Sequence, residues 1–146
     1  MYLKPHRTSA AFDKMFSVEY KYKESYRFFP KVGEVPAVSM NIAANGKSLD
    51  LLAIIDTGSA NTIISPDYAV ALSIEIENGE PKQFHTATGE KFLAYAHQME
   101  IRILNEFLRF QVYFPDQVFH RCLIGRDLLN EMQVGVKESH STVYLF

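Results

Sequence analysis

The tripeptide Asp56-Thr57-Gly58 directly follows the apolar run Leu51-Leu52-Ala53-Ile54-Ile55 and constrains the fold more than any other feature of the sequence. The run is typical of a buried strand, and a second apolar run, Thr62-Ile63-Ile64, leaves the tripeptide. Burying an aspartate between two such runs costs free energy unless its charge has a partner or a function. The pattern therefore predicts a strand–turn–strand unit that presents one carboxylate.

A second motif, Leu123-Ile124-Gly125-Arg126-Asp127-Leu128-Leu129, lies downstream. Two apolar residues lead into Gly125, at a place where a side chain would obstruct the close approach of another backbone segment. A short helix is predicted to follow, over residues 126–132. We expect Asp127 to cap that helix rather than to take part in catalysis.

Composition and charge exclude several classes of function. A length of 146 residues favours a single domain, and 47% hydrophobic with 22% charged residues is typical of a globular protein. A net charge of −2 gives no long-range attraction to nucleic acid or to anionic membranes, so neither is expected as a partner. No stretch approaches the length of a membrane span, and the N-terminus lacks an apolar signal core. The lone cysteine, Cys122, is expected to be a small core residue and fits a reducing cytoplasm.

Short alternating apolar patterns predict an all-β domain, closed or sandwiched, with one or two short helices. Asn45-Gly46 predicts a tight hairpin, and residues 82–97 predict a second hairpin around Ala87-Thr88-Gly89-Glu90. Ser65-Pro66-Asp67 is typical of a helix start, with the helix ending near Leu72. A turn is expected at Asn105-Glu106. The predicted strands cover residues 16–22, 38–42, 51–55, 99–103, 110–114, 123–124 and 142–146.

Taken together, these motifs resemble the retropepsins, the retroviral-type aspartic proteases, and in particular their single-lobe cellular and bacterial relatives. The resemblance covers about residues 35–146, which leaves 1–34 as a partly β N-terminal extension of unknown role. It implies a single-lobe closed β-barrel that works as a symmetric homodimer on protein or peptide substrates. It also implies that the hairpin around Gly89 is a flap over the substrate, and that the C-terminal strands of two subunits interleave.

Peptide hydrolysis without a metal or a covalent intermediate requires one group that accepts a proton from water and another that donates one. Two adjacent carboxylates do both, because like charges so close share a single proton. Among the aspartates at positions 13, 50, 56, 67, 116 and 127, only Asp56 has the Thr-Gly context. The second carboxylate must then be Asp56 of another copy. The histidines lack paired ligand spacing, so we expect neither a metal nor another cofactor.

The residues after Asp56 are assigned supporting roles. Thr57 would bond across the twofold axis to the partner backbone, or alternatively cap its own turn. Gly58 permits the turn, and Ser59 either donates toward the carboxylate or is an ordinary turn serine. The predicted substrate-binding and flap residues are Ala60, Ala87, Thr88 and Gly89.

Two departures from the retroviral pattern affect these assignments. In the viral enzymes the arginine of the second motif pairs with an acid four residues after the catalytic one. Here that position is Ala60, which leaves the role of Arg126 open. The expected flap also contains a single glycine, Gly89, where family flaps are often rich in glycine.

Two alternative functions are compatible with some of these features. One is a catalytically silent dimeric module that binds peptides or supports assembly. The other is an enzyme that hydrolyses a different bond, such as an amide in a non-protein polymer. Cleavage that is lost in Asp56→Asn excludes the first alternative, and profiling with peptide libraries tests the second.

Overall fold

The computed structural model describes residues 17–21, 24–25, 34–103, 106–137 and 140–144. These residues form a mostly β structure with two short helices, as the sequence predicts. In chain order the elements are β1 (Ser17–Lys21), β2 (Glu24–Ser25), β3 (Glu34–Val35), β4 (Ala37–Ala44), β5 (Lys47–Ile55), α1 (Pro66–Ala71), a 3-10 turn (Ile76–Asn78), β6 (Glu80–His85), β7 (Lys91–Ile103), β8 (Glu106–Pro115), β9 (Leu123–Ile124), α2 (Arg126–Leu129), β10 (Gln133–Lys137) and β11 (His140–Tyr144).

The main sheet has the strand order β6-β7-β4-β5-β9, and β8 also pairs with β7. Its neighbours are antiparallel except β5 and β9, which run parallel. The β4–β5 hairpin turns at Asn45 and Gly46, with φ of 53° and 72°. Positive φ at both positions is the geometry that matches the twist of the flanking strands, so the predicted Asn-Gly hairpin is confirmed.

The main buried cluster joins alternating apolar side chains of this sheet to residues of both helices, and two smaller clusters lie around Ile63 and around Ile54. Val38 and Ile42 on β4, Ile101 on β7 and Phe114 on β8 are fully buried. Burying a side chain of this size contributes about 1.5–3 kcal/mol of stability, so these side chains stabilise the packing of the sheet against the helices. The predicted strand pattern at 38–42, 99–103 and 110–114 is confirmed.

The segment that leaves the Asp56 turn is extended but belongs to none of the strands. Ile63 forms one bridge to Tyr113 on β8 and another to Leu123 on β9. Its backbone N–H and C=O exchange hydrogen bonds with Leu123 at 2.9 and 2.7 Å. The second apolar run therefore joins β8 to β9 and is buried between them.

Helix α1 begins where the sequence predicts. Ser65 is its N-cap and accepts a hydrogen bond from the Asp67 N–H, with Pro66 in the first turn and Leu72 as the C-cap. The second helix, α2, is shorter than the predicted 126–132, because the chain turns at Asn130 toward β10. Strand β10 was not predicted, since Val134-Gly135-Val136 is too short a pattern to stand out.

A separate sheet has the order β1-β11-β10, and it corrects the prediction for the C-terminal strand. Strand β11 is central, with Val143 opposite both Val18 on β1 and Val134 on β10. Both edges of this strand are thus occupied within one chain, so interleaving β11 with a second copy is wrong for this arrangement. Its backbone groups are already satisfied by β1 and β10.

The predicted strand 16–22 is confirmed over β1, while Phe16, Tyr22, Asn105, Leu145 and Phe146 lie outside the described residues. Strand β2 pairs with β3 across the expected boundary between extension and lobe, and that boundary stays a prediction. Among the described residues, no helix is long and apolar enough to span a membrane.

Candidate active site

Asp56 stands at the end of β5, where the chain leaves the sheet. Its backbone N–H donates to Ile124 C=O at 2.9 Å, which continues the parallel pairing of β5 with β9. The side chain is half-buried, and its Oδ1 accepts the Gly58 N–H at 3.0 Å. The Ser59 N–H closes the turn on Asp56 C=O at 3.2 Å. One carboxylate is therefore fixed in orientation at the surface of the chain.

The hydrogen bonds of the residues after Asp56 decide between the alternative roles that the sequence leaves open for Thr57 and Ser59. Ser59 Oγ donates to Asn61 C=O at 2.6 Å, so its only hydroxyl proton points away from Asp56 and it is a turn serine. Thr57 is exposed, and within the described residues its hydroxyl makes no hydrogen bond, so it does not cap its own turn. Gly58 gives the turn room, since a Cβ there would lie 3.2 Å from Asp56 Oδ1.

The second motif packs directly against this turn. A Cβ on Gly125 would lie 2.3 Å from Asn61 O and 2.4 Å from Asn61 C, well inside contact distance. The close approach predicted at Gly125 is confirmed, and the neighbouring atoms are backbone. The Arg126 N–H then donates to Ser59 C=O at 2.8 Å, and the Asp127 N–H to Ala60 C=O at 3.2 Å. The start of α2 thus holds the end of the Asp56 turn.

Arg126 has a role that does not need an acid at position 60. Its Nη1 donates to Thr57 C=O at 2.8 Å, while Ala60 is exposed and contributes only its backbone. The guanidinium therefore ties the middle of the turn to α2 through a neutral oxygen. Sequence reasoning missed this contact because any residue can offer a carbonyl.

Asp127 is structural, but the capping prediction describes it only in part. The N-cap of α2 is Gly125, with no side-chain cap, although Asp127 Oδ1 accepts the first-turn N–H of Leu128 at 2.7 Å. The carboxylate chiefly binds Thr62: Oδ1 accepts the Thr62 hydroxyl at 2.7 Å and Oδ2 accepts its N–H at 3.0 Å. The same hydroxyl accepts the Gly125 N–H at 3.2 Å. Thr62 is fully buried, so these bonds lock the segment after the turn.

The predicted flap is a hairpin formed by β6 and β7, and Ala87, Thr88 and Gly89 lie exposed at its tip. Gly89 has a φ of 88°, which explains a glycine at this position. The hydrogen bonds of the tip are internal: the Gly89 N–H donates to Thr86 C=O, and the Thr86 N–H donates to Glu90 C=O. The hairpin is confirmed, whereas its action as a flap stays a prediction.

Away from its tip, the hairpin contacts the Asp56 turn through Lys82, a residue that the sequence did not single out. Lys82 Nζ on β6 donates to Asn61 Oδ1 at 2.8 Å. The same ammonium lies 5.4 Å from the ring centre of Phe84 and 5.5 Å from that of Tyr113. No sequence pattern joins Lys82 to Asn61, because their contact depends on how β6 folds back over the turn.

The remaining reactive groups offer little chemistry. Within the described ranges, no group of three or more His, Cys, Asp or Glu residues could hold a metal ion. Cys122 is buried as predicted, and loss of solvation raises the pKa of its thiol to about 11. A thiol with so high a pKa is a poor nucleophile at neutral pH. Neither Cys122 nor a metal cluster among the described residues therefore competes with the Asp56 carboxylate as the candidate reactive group.

Comparison with known proteins agrees with this geometry. Residues 40–131 match the model of a protein family described as "gag-polyprotein putative aspartyl protease". No curated protein sequence matches the chain. Among solved structures, a retropepsin-like aspartic protease from Rickettsia conorii is similar with a TM-score of 0.62 and 12% identity. That alignment covers 86% of this chain and 97% of the other.

The EIAV protease, solved in complex with the inhibitor HBY-793, is similar with a TM-score of 0.51 and 16% identity. Its alignment covers 74% of this chain and 93% of the other. At such identities the likeness shows a shared fold, and the match over 40–131 shows the family. The chain belongs to the gag-polyprotein aspartyl protease family, and its fold is similar to that of a retropepsin-like aspartic protease.

Proposed function

We propose that the protein is an aspartic endopeptidase that works as a symmetric homodimer, with one Asp56 from each subunit. The observation that carries this proposal is the single carboxylate held at the end of β5 in an exposed turn. The other motif aspartate, Asp127, is occupied by Thr62 and Leu128 and is not available for chemistry. One chain thus supplies half of a carboxylate pair, and a second copy completes it.

In the proposed dimer, two Asp56 carboxylates hold a water molecule between them. The ionised carboxylate accepts a proton from the water as it attacks the peptide carbonyl, and the protonated carboxyl donates to the carbonyl oxygen. The exposed Thr57 hydroxyl, which has no described acceptor in its own chain, would bond to the partner's backbone. The bonds from Gly125, Arg126 and Asp127 keep the turn rigid, as a carboxylate pair requires.

The substrate is proposed to be an extended peptide lying between the β6–β7 hairpin and the Asp56 turn. Main-chain hydrogen bonds would supply affinity, and side-chain contacts would supply selectivity. The bridges that Ile63 makes to β8 and β9 support closure of the lobe into a barrel, which would give the cleft a firm base. The lone cysteine fits a reducing compartment, for which we propose the cytoplasm.

The test is cleavage of an unstructured protein by wild type, by Asp56→Asn and by Asp116→Asn as a matched control. Asparagine is nearly isosteric with aspartate but cannot accept the proton, so Asp56→Asn should lower the rate by a factor of about 100 or more. Asp116 is exposed on a loop, and its substitution should leave the rate unchanged. Activity of Asp56→Asn above a few per cent of wild type would contradict the proposal.

The homodimer is tested separately by sedimentation and by dilution. Specific activity should fall on dilution as the carboxylate pair separates, and sedimentation should show dimer in the active range. A fully active monomer would refute the mechanism, because one chain has one Asp56. Absence of cleavage in a folded dimer that still binds peptides would favour the silent binding module.

A further inference from the structure

The ammonium group of Lys82 lies between the β6–β7 hairpin and the Asp56 turn with a neutral oxygen as its hydrogen-bond acceptor. An ammonium has three N–H donors, and Asn61 Oδ1 takes one of them. Within the described residues, no carboxylate contacts the other two donors. The turn is therefore touched by a positive charge that no carboxylate among the described residues neutralises.

Lys82 is an exposed residue, and two aromatic rings beside its ammonium restrict where this charge sits. The Phe84 ring stacks on Phe92 at 5.5 Å and meets the Tyr113 ring edge-on at 5.1 Å. Phe92 and Tyr113 are buried, and Lys82 Nζ lies over the Phe84 and Tyr113 rings. A lysine that is held over two aromatic faces loses part of its freedom before any ligand binds. Its remaining donors are thus pre-positioned.

The position of Lys82 relative to the reacting group follows from Asn61. The backbone carbonyl of Asn61 accepts the hydroxyl of Ser59, so Asn61 belongs to the turn that Asp56 begins. In the proposed function a peptide lies between that turn and the hairpin, and its side chains pass the Lys82 ammonium. The inference rests on the proposed function in this respect.

We propose that Lys82 is a specificity-determining residue that selects substrates with a carboxylate side chain, Glu or Asp, near the scissile bond. Such a carboxylate would accept hydrogen bonds from the two remaining N–H groups and meet a fixed positive charge. Charge-assisted bonds of this kind are roughly twice as strong as neutral ones. A glutamine at the same substrate position offers the acceptor without the charge, so it should be cleaved roughly tenfold less efficiently.

The experiment uses pairs of peptides that differ by Glu or Gln at one position, scanned along both sides of the scissile bond. Wild type should show a Glu preference of roughly tenfold in kcat/KM at one position. Lys82→Met keeps the hydrocarbon stem over the rings and removes the charge with its N–H donors, so cleavage of the Glu peptide should fall roughly tenfold further than cleavage of the Gln peptide, and the preference should fall to about one. Lys91→Met, an exposed lysine on the other strand of the hairpin, is the matched control and should behave as wild type.

A second variant tests charge without removing Lys82. Asn61→Asp keeps an acceptor for Nζ and neutralises the ammonium, so it should also abolish the preference for Glu. If Lys82→Met lowers cleavage of both peptides equally, Lys82 positions the hairpin, and the specificity proposal is wrong. Equal cleavage of Glu and Gln peptides by wild type at every position would overturn it too. That result leaves the peptidase proposal intact, whereas failure to cleave any peptide refutes both.

Discussion

The carboxylate of Asp127 is expected to be the most important side chain for the stability of the candidate site. It accepts the N–H and the hydroxyl of Thr62 at 3.0 and 2.7 Å, and Thr62 is fully buried. Asp127→Ala leaves both donors without their acceptor, and an unsatisfied buried donor costs about 1–3 kcal/mol. Because Asp127 is only half-buried, water replaces part of the loss, and we expect about 2–4 kcal/mol in total.

This loss is large beside the ~5–15 kcal/mol that stabilises a typical domain. It should lower Tm by roughly 5–15 °C, at about 2–4 °C per kcal/mol for a chain of this size. Asp127→Asn keeps one oxygen for the Thr62 hydroxyl but turns an amide NH₂ toward the Thr62 N–H, so its loss should be intermediate. Asp116→Ala, which truncates an exposed carboxylate, is the control and should stay within about 0.5 kcal/mol of wild type.

The free energy of unfolding is measured by urea titration at one fixed protein concentration, since dimerisation would shift the apparent stability. The chain has no tryptophan, so far-UV circular dichroism follows unfolding. An Asp127→Ala variant within about 0.5 kcal/mol of wild type would refute the argument that this carboxylate locks the turn. A fully stable Asp127→Asn beside a destabilised Asp127→Ala would mean that a single acceptor is enough.

Five further expectations follow from the site and its surroundings. Gly125→Ala should lower stability and peptidase activity together, because its Cβ would lie 2.3 Å from a backbone oxygen; Gly135→Ala, with no atom within 4 Å of the added Cβ, should retain activity. Cys122 should resist iodoacetamide at neutral pH until urea unfolds the chain, and rapid labelling of folded protein would contradict its burial. Because burial raises the pKa of this thiol from an ordinary value of 9.0 to about 11, stability should fall as pH rises through that window, by roughly 2–3 kcal/mol at most. Cys122→Ala should remove this component. Deleting residues 143–146 should disrupt folding, because β11 pairs with both β1 and β10; a folded, monomeric truncation seen by sedimentation would restore the interface role first predicted for this strand. Cleavage should show a bell-shaped pH profile on the acid side of neutral with inhibition by pepstatin-like compounds, and a flat profile sensitive to chelators would contradict the carboxylate pair.

The sequence by itself determined the local elements, because each depends on residues that are neighbours in the chain. Alternation of apolar side chains was enough for residues 38–42 of β4, 99–103 of β7 and 110–114 of β8, since side chains of a strand point to opposite faces in turn. Asn45-Gly46 determined its hairpin through positive φ, and Ser65 determined the start of α1 through its hydroxyl. The two motifs of the family were likewise readable as short runs of letters.

Only the tertiary structure decided what holds these elements together. Asp127 binds Thr62 across 65 residues of sequence, and Lys82 binds Asn61 across 21. The proton of Ser59 could have gone to either of two acceptors, and the structure shows it donated to the Asn61 carbonyl, which lies against Gly125. The C-terminal strand could have paired with a second copy, but β1 and β10 of the same chain occupy its two edges. Such choices depend on distances between segments remote in sequence, which composition, periodicity and spacing do not encode.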